Sequence, residues 1–166
     1  MKYLLSIDEA FAMAIQIESN AAGFYRRAAG LQGDAEPAAA LERLAVMEDE
    51  HKRFFGEMRL AVRDRPRPPD PGGLDPEGAL FLSAIGAGYL VEGSAVVAAG
   101  LTGRETLSEI LRKAIELEKQ SVLFYLGLRD VLSDDPQQTA LLRIIGEEKK
   151  HLVALTGRLR ALESAQ

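Results

Sequence analysis

The chain has 166 residues, enough for one domain with a buried core, and 47% of them are hydrophobic, as in ordinary globular proteins. Its formal net charge of −5 provides no basic surface for a phosphate backbone, so we expect no nucleic-acid partner. Cysteine is absent, which excludes disulfides, thiolate-bound zinc, iron–sulfur clusters and a cysteine nucleophile.

Two apolar stretches lack the patterns of export and membrane segments. The N-terminal stretch MKYLLSIDEAFAMAIQIE carries acids within its first turns and has no uninterrupted apolar core with a cleavage site. We therefore expect a cytoplasmic protein. The Gly/Ala-rich stretch 78–103 is interrupted by Glu92 and six glycines, whereas a membrane-spanning helix needs about 20 consecutive apolar residues. We expect a buried or interface helix in this stretch and no contact with a membrane.

Four long amphipathic segments are predicted to be helices. Ser6 and Thr106 each begin a capping-box pattern, with a glutamate three residues later and an amphipathic segment behind it. Pro37 and Pro136 suit the first positions of the other two helices, because proline has no N–H to donate. The predicted helices are 6–30, 37–63, 105–132 and 136–163.

The helices fall into two pairs. Each pair is joined by a short loop, so 6–63 and 105–163 are both predicted to be helical hairpins. The crossover between them, 64–104, holds five of the seven prolines and then the Gly/Ala-rich stretch. We expect it to contain a helix of its own that covers an open side of the bundle or lies between subunits. The fold class is all-α, a four-helix bundle in a single domain spanning 1–166.

The two hairpins are related by an internal repeat with an offset of 100 residues. IQIESNAAGFYRR (15–27) aligns with IELEKQSVLFYLG (115–127), and LAVMEDEHKRF (44–54) aligns with IIGEEKKHLVA (144–154). Each predicted helix carries a glutamate in the middle of its apolar stripe, and two helices add a histidine three residues later. These inward-facing residues are Glu18, Glu48, His51, Glu118, Glu148 and His151.

A metal site accounts for polar groups at such positions. Four unpaired carboxylates in one core are costly unless protons, cations or metals neutralise them. Glutamate and histidine three residues apart share a helix face and can bind one ion, and two divalent ions would balance four carboxylates. Oxygen and imidazole ligands suit iron or manganese, and zinc can also occupy such a site. We predict two metal ions per chain.

Each Glu-x-x-His motif taken alone also fits a solvated patch, since EDEHKR is six polar residues in a row. The two motifs together favour the metal site. The chain has only two histidines, at equivalent places in the two halves, and a lone glutamate precedes each motif by thirty residues. Of the other carboxylates, we expect Glu50 and Glu147 to face solvent, and the position of Glu92 stays open.

Two tyrosines lie on the same stripes as the lone glutamates. Tyr25 and Tyr125 each follow such a glutamate by seven residues, or two helical turns. They suit plain core packing, and they equally suit a role in which the hydroxyl hydrogen-bonds a ligand carboxylate. Ala21 and Ser121 are small at positions where a metal cluster would need room.

At these residues the sequence resembles the rubrerythrin branch of the ferritin-like superfamily. The resemblance rests on IESNAAGFY, EDEHKRFF, ELEKQSVLFY and EEKKHL, and it covers about 6–63 and 105–163. It implies a ferritin-like bundle with two iron ions that reacts with hydrogen peroxide or O₂, in a cytoplasmic protein that forms a homodimer or a larger homo-oligomer.

The chain departs from that branch in two ways. Rubrerythrins proper carry a cysteine-ligated, rubredoxin-like domain that supplies electrons, and this chain has no cysteine. They also carry an extra glutamate one turn after the third-helix ligand, where this chain has Ser121. The remaining six-ligand set resembles the more symmetric one of bacterioferritins.

Three functions follow as expectations. The first is a peroxidase or ferroxidase that takes electrons from an external donor. The second is storage, buffering or sensing of iron or another metal without catalysis. The third is a structural bundle with an inert pair of zinc or manganese ions.

Overall fold

The computed structural model describes residues 5–64, 75–86, 100–132 and 135–165. This part of the chain contains five helices and no strand, which confirms the all-α prediction. In chain order they are α1 (Ile7–Gly30), α2 (Ala35–Arg63), α3 (Pro76–Ile85), α4 (Leu107–Val131) and α5 (Asp135–Ser164).

None of these helices is long and apolar enough to cross a lipid bilayer.

The four long helices lie where the sequence predicts them, within two residues at each end. Ser6 caps α1 and Thr106 caps α4, each in a complete capping box with Glu9 or Glu109. Helix α2 begins two residues earlier than predicted, with Pro37 at its third position. Proline is tolerated there because the first four N–H groups of a helix have no partner within the helix.

The bundle consists of two hairpins that meet along their inner faces. Helix α1 packs along α2, α4 packs along α5, and the pairs meet where α1 contacts α4 and α2 contacts α5. The apolar core has two clusters. One contains Phe11, Phe55 and Phe124, and the other contains Phe24 and Leu111. Tyr125 belongs to the first cluster and Tyr25 to the second.

Helix α3 is the helix expected in the crossover. It packs against α4, where Ala79 and Leu82 are fully buried. Gly127 permits the close approach, because a Cβ atom at this position would lie 2.5 Å from Phe81 Cε1. Part of the crossover therefore covers the α1–α4 side of the bundle within its own chain. The rest of the Gly/Ala-rich stretch, including Glu92, lies outside the described residues.

Candidate metal centre

A cluster of polar side chains lies in the middle of the bundle. The structure brings all six predicted ligands together there, each with at most 3% of its surface exposed. Apart from two buried tyrosines, Ser121 is the one other buried polar side chain among the described residues, and its hydroxyl donates to the Leu117 carbonyl oxygen at 3.2 Å. The polar interior of the described chain is therefore almost entirely this cluster.

Helical periodicity explains how each side chain reaches the centre. Glu48 and His51 are one turn apart on α2, and Glu148 and His151 are one turn apart on α5. Residues at this spacing lie on the same face of a helix, and both faces are otherwise apolar. Glu18 on α1 and Glu118 on α4 come from the buried faces of the other two helices.

The cluster divides into two overlapping sets of ligand atoms. One set is Glu18, Glu48, His51 and Glu148, and within it the chosen nitrogen and oxygen atoms all lie within 4.8 Å of one another. The other is Glu48, Glu118, Glu148 and His151, within the same limit. The two imidazole rings are nearly parallel, with centroids 5.8 Å apart. The geometry offers two adjacent candidate positions for metal ions, and Glu48 and Glu148 belong to both sets.

Glu48 and Glu148 are the shared carboxylates, because each offers one oxygen to each imidazole. The two oxygens of Glu48 lie 3.1 Å from His51 Nδ1 and 3.2 Å from His151 Nδ1. Those of Glu148 lie 2.9 Å and 3.2 Å from the same two nitrogens. Glu18 approaches only His51, at 3.8 Å, and Glu118 approaches only His151, at 3.6 Å. Two carboxylates thus bridge the positions and one terminal carboxylate belongs to each.

Buried atoms without a hydrogen-bond partner show that these residues suit metal ions. Glu48 Oε1, both carboxylate oxygens of Glu148 and both ring nitrogens of His151 make no hydrogen bond within the described chain. Glu148 Oε1 lies 2.9 Å from His51 Nδ1, yet it is not oriented for a hydrogen bond. Buried polar atoms normally have partners, so atoms that converge without pairing indicate a shared cation.

Without metal, the pKa values of Glu18 and Glu118 shift in the opposite direction to that of Glu148. Burial raises the pKa of Glu18 and of Glu118 well above the ordinary carboxyl value, and the neighbouring glutamates add to the effect. Burial also acts to raise the pKa of Glu148, but His151 and His51 outweigh it and lower that pKa to about 2. The terminal carboxyls therefore tend to keep protons, whereas the shared carboxyl of Glu148 is ionised.

The imidazoles supply the balancing positive charge. Burial acts to lower their pKa values, but the close carboxylates prevail and raise the pKa of His51 to about 10 and that of His151 to about 12. Both rings are therefore protonated at neutral pH when no metal is present. A metal ion takes the place of these protons, so metal binding must release them.

The two tyrosines form hydrogen bonds between α1 and α4. The Tyr25 hydroxyl on α1 donates to Glu118 Oε1 on α4, and the Tyr125 hydroxyl on α4 donates to Glu18 Oε1 on α1 at 2.5 Å. Both side chains are fully buried, and burial raises the pKa of each phenol well above its usual value. The hydroxyls thus remain protonated donors, and each orients one terminal carboxylate.

The prediction that Glu147 faces solvent is wrong. Glu147 is half-buried, and His51 Nε2 lies 2.9 Å from its Oε2. A carboxylate there fixes the tautomer that leaves Nδ1 free for a metal. The residue at the equivalent place in the first repeat is Met47, so the repeat itself gives no signal for this role. Glu50 is exposed, as expected.

No protein-family model matches the chain, and no curated protein does. Among solved structures it is similar to a protein of Thermotoga maritima assigned as a ferritin-like diiron-carboxylate protein. The two share 22% sequence identity, with a TM-score of 0.68 over 96% of this chain and 98% of that one. At this identity the similarity shows the fold, and the fold of this chain is ferritin-like. It belongs to the class of all-α bundles that enclose a carboxylate and imidazole cluster.

Proposed function

We propose that the chain is a di-iron carboxylate protein that reacts with hydrogen peroxide or O₂ as a peroxidase or ferroxidase. One observation carries the proposal: four carboxylates and two imidazoles converge in two overlapping ligand sets inside a ferritin-like bundle. The motifs shared with the rubrerythrin branch support this assignment within the superfamily, as does the solved structure of similar fold.

Each residue of the cluster has a distinct role in this proposal. Glu48 and Glu148 would serve both ions, Glu18 and Glu118 would each serve one, and the Nδ1 atoms of the histidines would complete the two sets. Two ferrous ions held by these residues would supply two electrons for the reduction of hydrogen peroxide or O₂. The four carboxylates offset the charge of two divalent ions, which keeps the buried site nearly neutral.

The tyrosines and the apolar core control the surroundings of the site. Tyr25 and Tyr125 hold the terminal carboxylates by hydrogen bonds and keep their protons, because burial raises their pKa values. The apolar clusters on either side exclude bulk water from the ligands. Electrons for repeated turnover come from an external donor, since the chain has no cysteine for an iron–sulfur or rubredoxin-like centre.

The test is anaerobic titration of the metal-free protein with Fe²⁺, followed by mixing with O₂ or hydrogen peroxide. We expect two ions per chain and an absorbance change on oxidation that requires both. Replacing Glu48 and Glu148 together by Ala should abolish two-ion binding, while Glu50→Ala, at an exposed position on α2, should leave it unchanged. Unchanged stoichiometry in the double variant would remove the proposed site.

The same experiment separates catalysis from metal handling. An oxidoreductase consumes peroxide or O₂ repeatedly when a chemical reductant is present. A storage or buffering protein binds and releases iron with no more than one oxidation cycle. Binding of two ions without turnover would therefore keep the di-iron site and favour metal handling.

A further inference from the structure

A pocket opens beside one of the two histidines and is not part of the ligand sets. It has a volume of about 390 Å³ and lies between α2 and α5, with the N-terminal part of α4 as its floor. This volume is within the range of small-molecule sites. Met47 and His151 are among the residues that line it.

The inner end of the pocket is formed where the two repeats differ. His51 Nε2 has Glu147 at 2.9 Å, but the equivalent residue in the other half is Met47, which lines the pocket together with His151. His151 is 3% exposed, and its Nε2 has no hydrogen-bond partner within the described chain. Its Nδ1 faces the carboxylates and its Nε2 is covered from solvent, so an acceptor in the pocket reaches Nε2 only when a neighbouring side chain such as that of Met47 moves aside.

The charges around the pocket have one sign. Arg43, Lys150 and Arg158 line it, and no acidic residue does. Arg158 is paired with Glu36, whereas Arg43 and Lys150 have no ion pair within the described residues. Lys150 is next to His151 on α5, and Arg43 is one turn before Met47 on α2. Both residues are exposed, so two cations without an ion pair in the described chain lie on the solvent side of the pocket.

The remainder of the pocket is apolar. Leu41 and Leu44 of α2, Leu107 and Leu111 of α4 and Leu155 of α5 form its walls. Apolar walls bind the body of a ligand through the area they remove from water, and a few polar groups fix its orientation. The pocket therefore fits an amphipathic molecule with a hydrogen-bond-accepting anion at one end.

We propose that this pocket binds a medium-chain aliphatic carboxylate, whose carboxylate accepts a hydrogen bond from His151 Nε2–H and whose chain lies against the leucines. The carboxylate takes the role for His151 that Glu147 has for His51, and Arg43 and Lys150 balance its charge. Because the two repeats differ at Met47 and Glu147, a residue of the chain accepts the hydrogen bond from one histidine, and the bound acid accepts it from the other. The proposal goes beyond the di-iron assignment, and it does not require metal to be bound.

The test uses octanoate as the probe and 1-octanol as the neutral probe of matched length. Nitrogen NMR of imidazole-labelled protein is selective, because the chain has only two histidines. Octanoate should shift the His151 Nε2 resonance and leave that of His51 unchanged, in metal-free and in zinc-loaded protein. We expect octanoate to bind about tenfold more tightly than octanol, as one charge-assisted hydrogen bond would give.

Two pairs of variants locate the binding. Met47→Glu gives His151 a carboxylate from its own chain and should weaken octanoate binding by about tenfold or more, whereas Met47→Leu should retain it. Arg43→Gln combined with Lys150→Gln should weaken octanoate binding but not octanol binding. Arg53→Gln, at an exposed position of α2 outside the pocket, should change neither.

Three outcomes would overturn the proposal. They are the absence of a shift at His151, equal affinity for octanoate and octanol, and a pocket closed by a second copy. In the third case the protein would be a dimer that binds no octanoate, and Ala40→Glu would dissociate that dimer. Metal stoichiometry measured on the same samples keeps the two proposals apart: octanoate binding without two-ion binding rejects the metal site alone, and the reverse rejects the pocket alone.

Discussion

The two histidines of the metal cluster differ in what their outer nitrogens contact. Glu147 holds His51, and Arg143 lies 3.5 Å from the same carboxylate, on the outer side of α5. His151 has a pocket at this place instead. A carboxylate behind a ligating imidazole orients the ring and makes it more basic, so the two metal positions should differ in affinity.

Glu147→Gln is the variant that tests this difference. The amide can still accept a hydrogen bond, but the negative charge behind His51 is lost. We expect affinity at the His51 position to fall by about tenfold, with little change at the His151 position. Stepwise titration with Fe²⁺ or Mn²⁺ would resolve the two constants. Glu50→Gln on α2 is the matched control, and an equal effect of both variants would contradict a specific role for Glu147.

At the scale of elements, glycine has a different function in each hairpin. Gly127 on α4 is buried under α3, where Phe81 Cε1 would lie 2.5 Å and Leu82 Cδ2 3.2 Å from an added Cβ. Gly23 on α1 is exposed, and no atom lies within 4 Å of such a Cβ. The first glycine therefore allows two helices to approach, and the second only weakens its helix.

Alanine at each position should move stability in opposite directions. Gly23→Ala should raise the free energy of unfolding by about 0.5–1 kcal/mol through better helix propensity. Gly127→Ala gains the same propensity but pushes α3 outward, and we expect a net loss of about 1 kcal/mol. Urea denaturation followed by circular dichroism measures both. Equal stabilisation by the two substitutions would show that α3 does not pack tightly on α4.

At the scale of the whole molecule, the buried cluster of glutamates and histidines links stability to pH. The folded-state pKa values of His51 and His151 are raised to about 10 and about 12, above the ordinary imidazole value. Such groups stabilise the fold fully below the unfolded pKa, and the effect is lost as pH rises towards the folded values. The raised carboxyl pKa values of Glu18 and Glu118 act in the same direction, and the lowered pKa of Glu148 matters only in acid.

We therefore expect metal-free protein to lose stability between pH 7 and pH 9. The slope is about 1.4 kcal/mol per pH unit for each imidazole that keeps its proton only in the folded state. Metal replaces those protons and binds only the folded form, so Fe²⁺ under anaerobic conditions or Mn²⁺ should raise stability and reverse the slope. Chemical unfolding of chelator-treated and metal-saturated protein measures both slopes. Metal-free protein that gains stability with pH would contradict the buried cluster.

Assembly is the second property of the whole molecule. Helix α3 leaves Leu80 49% and Phe81 43% exposed, although Ala79 and Leu82 on the same helix are buried against the bundle. We predict a homodimer that covers this face. Leu80→Lys should shift the dimer towards monomer in analytical ultracentrifugation, and Leu60→Lys, at an exposed leucine of α2, should not. A strictly monomeric protein at micromolar concentration would contradict the prediction.

Much of this architecture could be predicted from the amino-acid order alone. Capping boxes and prolines define where the long helices begin to within two residues, because they satisfy or remove the N–H groups of a first turn. The repeat and the helical period select the six buried polar residues of the candidate site, because glutamate and histidine in an apolar stripe are costly without a common ion. These features depend on one helix at a time.

The tertiary structure alone decided which residues meet across helices. The pairing of Tyr25 with Glu118, the bridging positions of Glu48 and Glu148, and the contact of Glu147 with His51 all join different helices. Periodicity determines the face on which a residue lies, but the rotation and axial shift of one helix against another are set by packing over the whole interface. The sequence by itself therefore determined the helices and the polar residues they bury, and packing determined which partner each of those residues has.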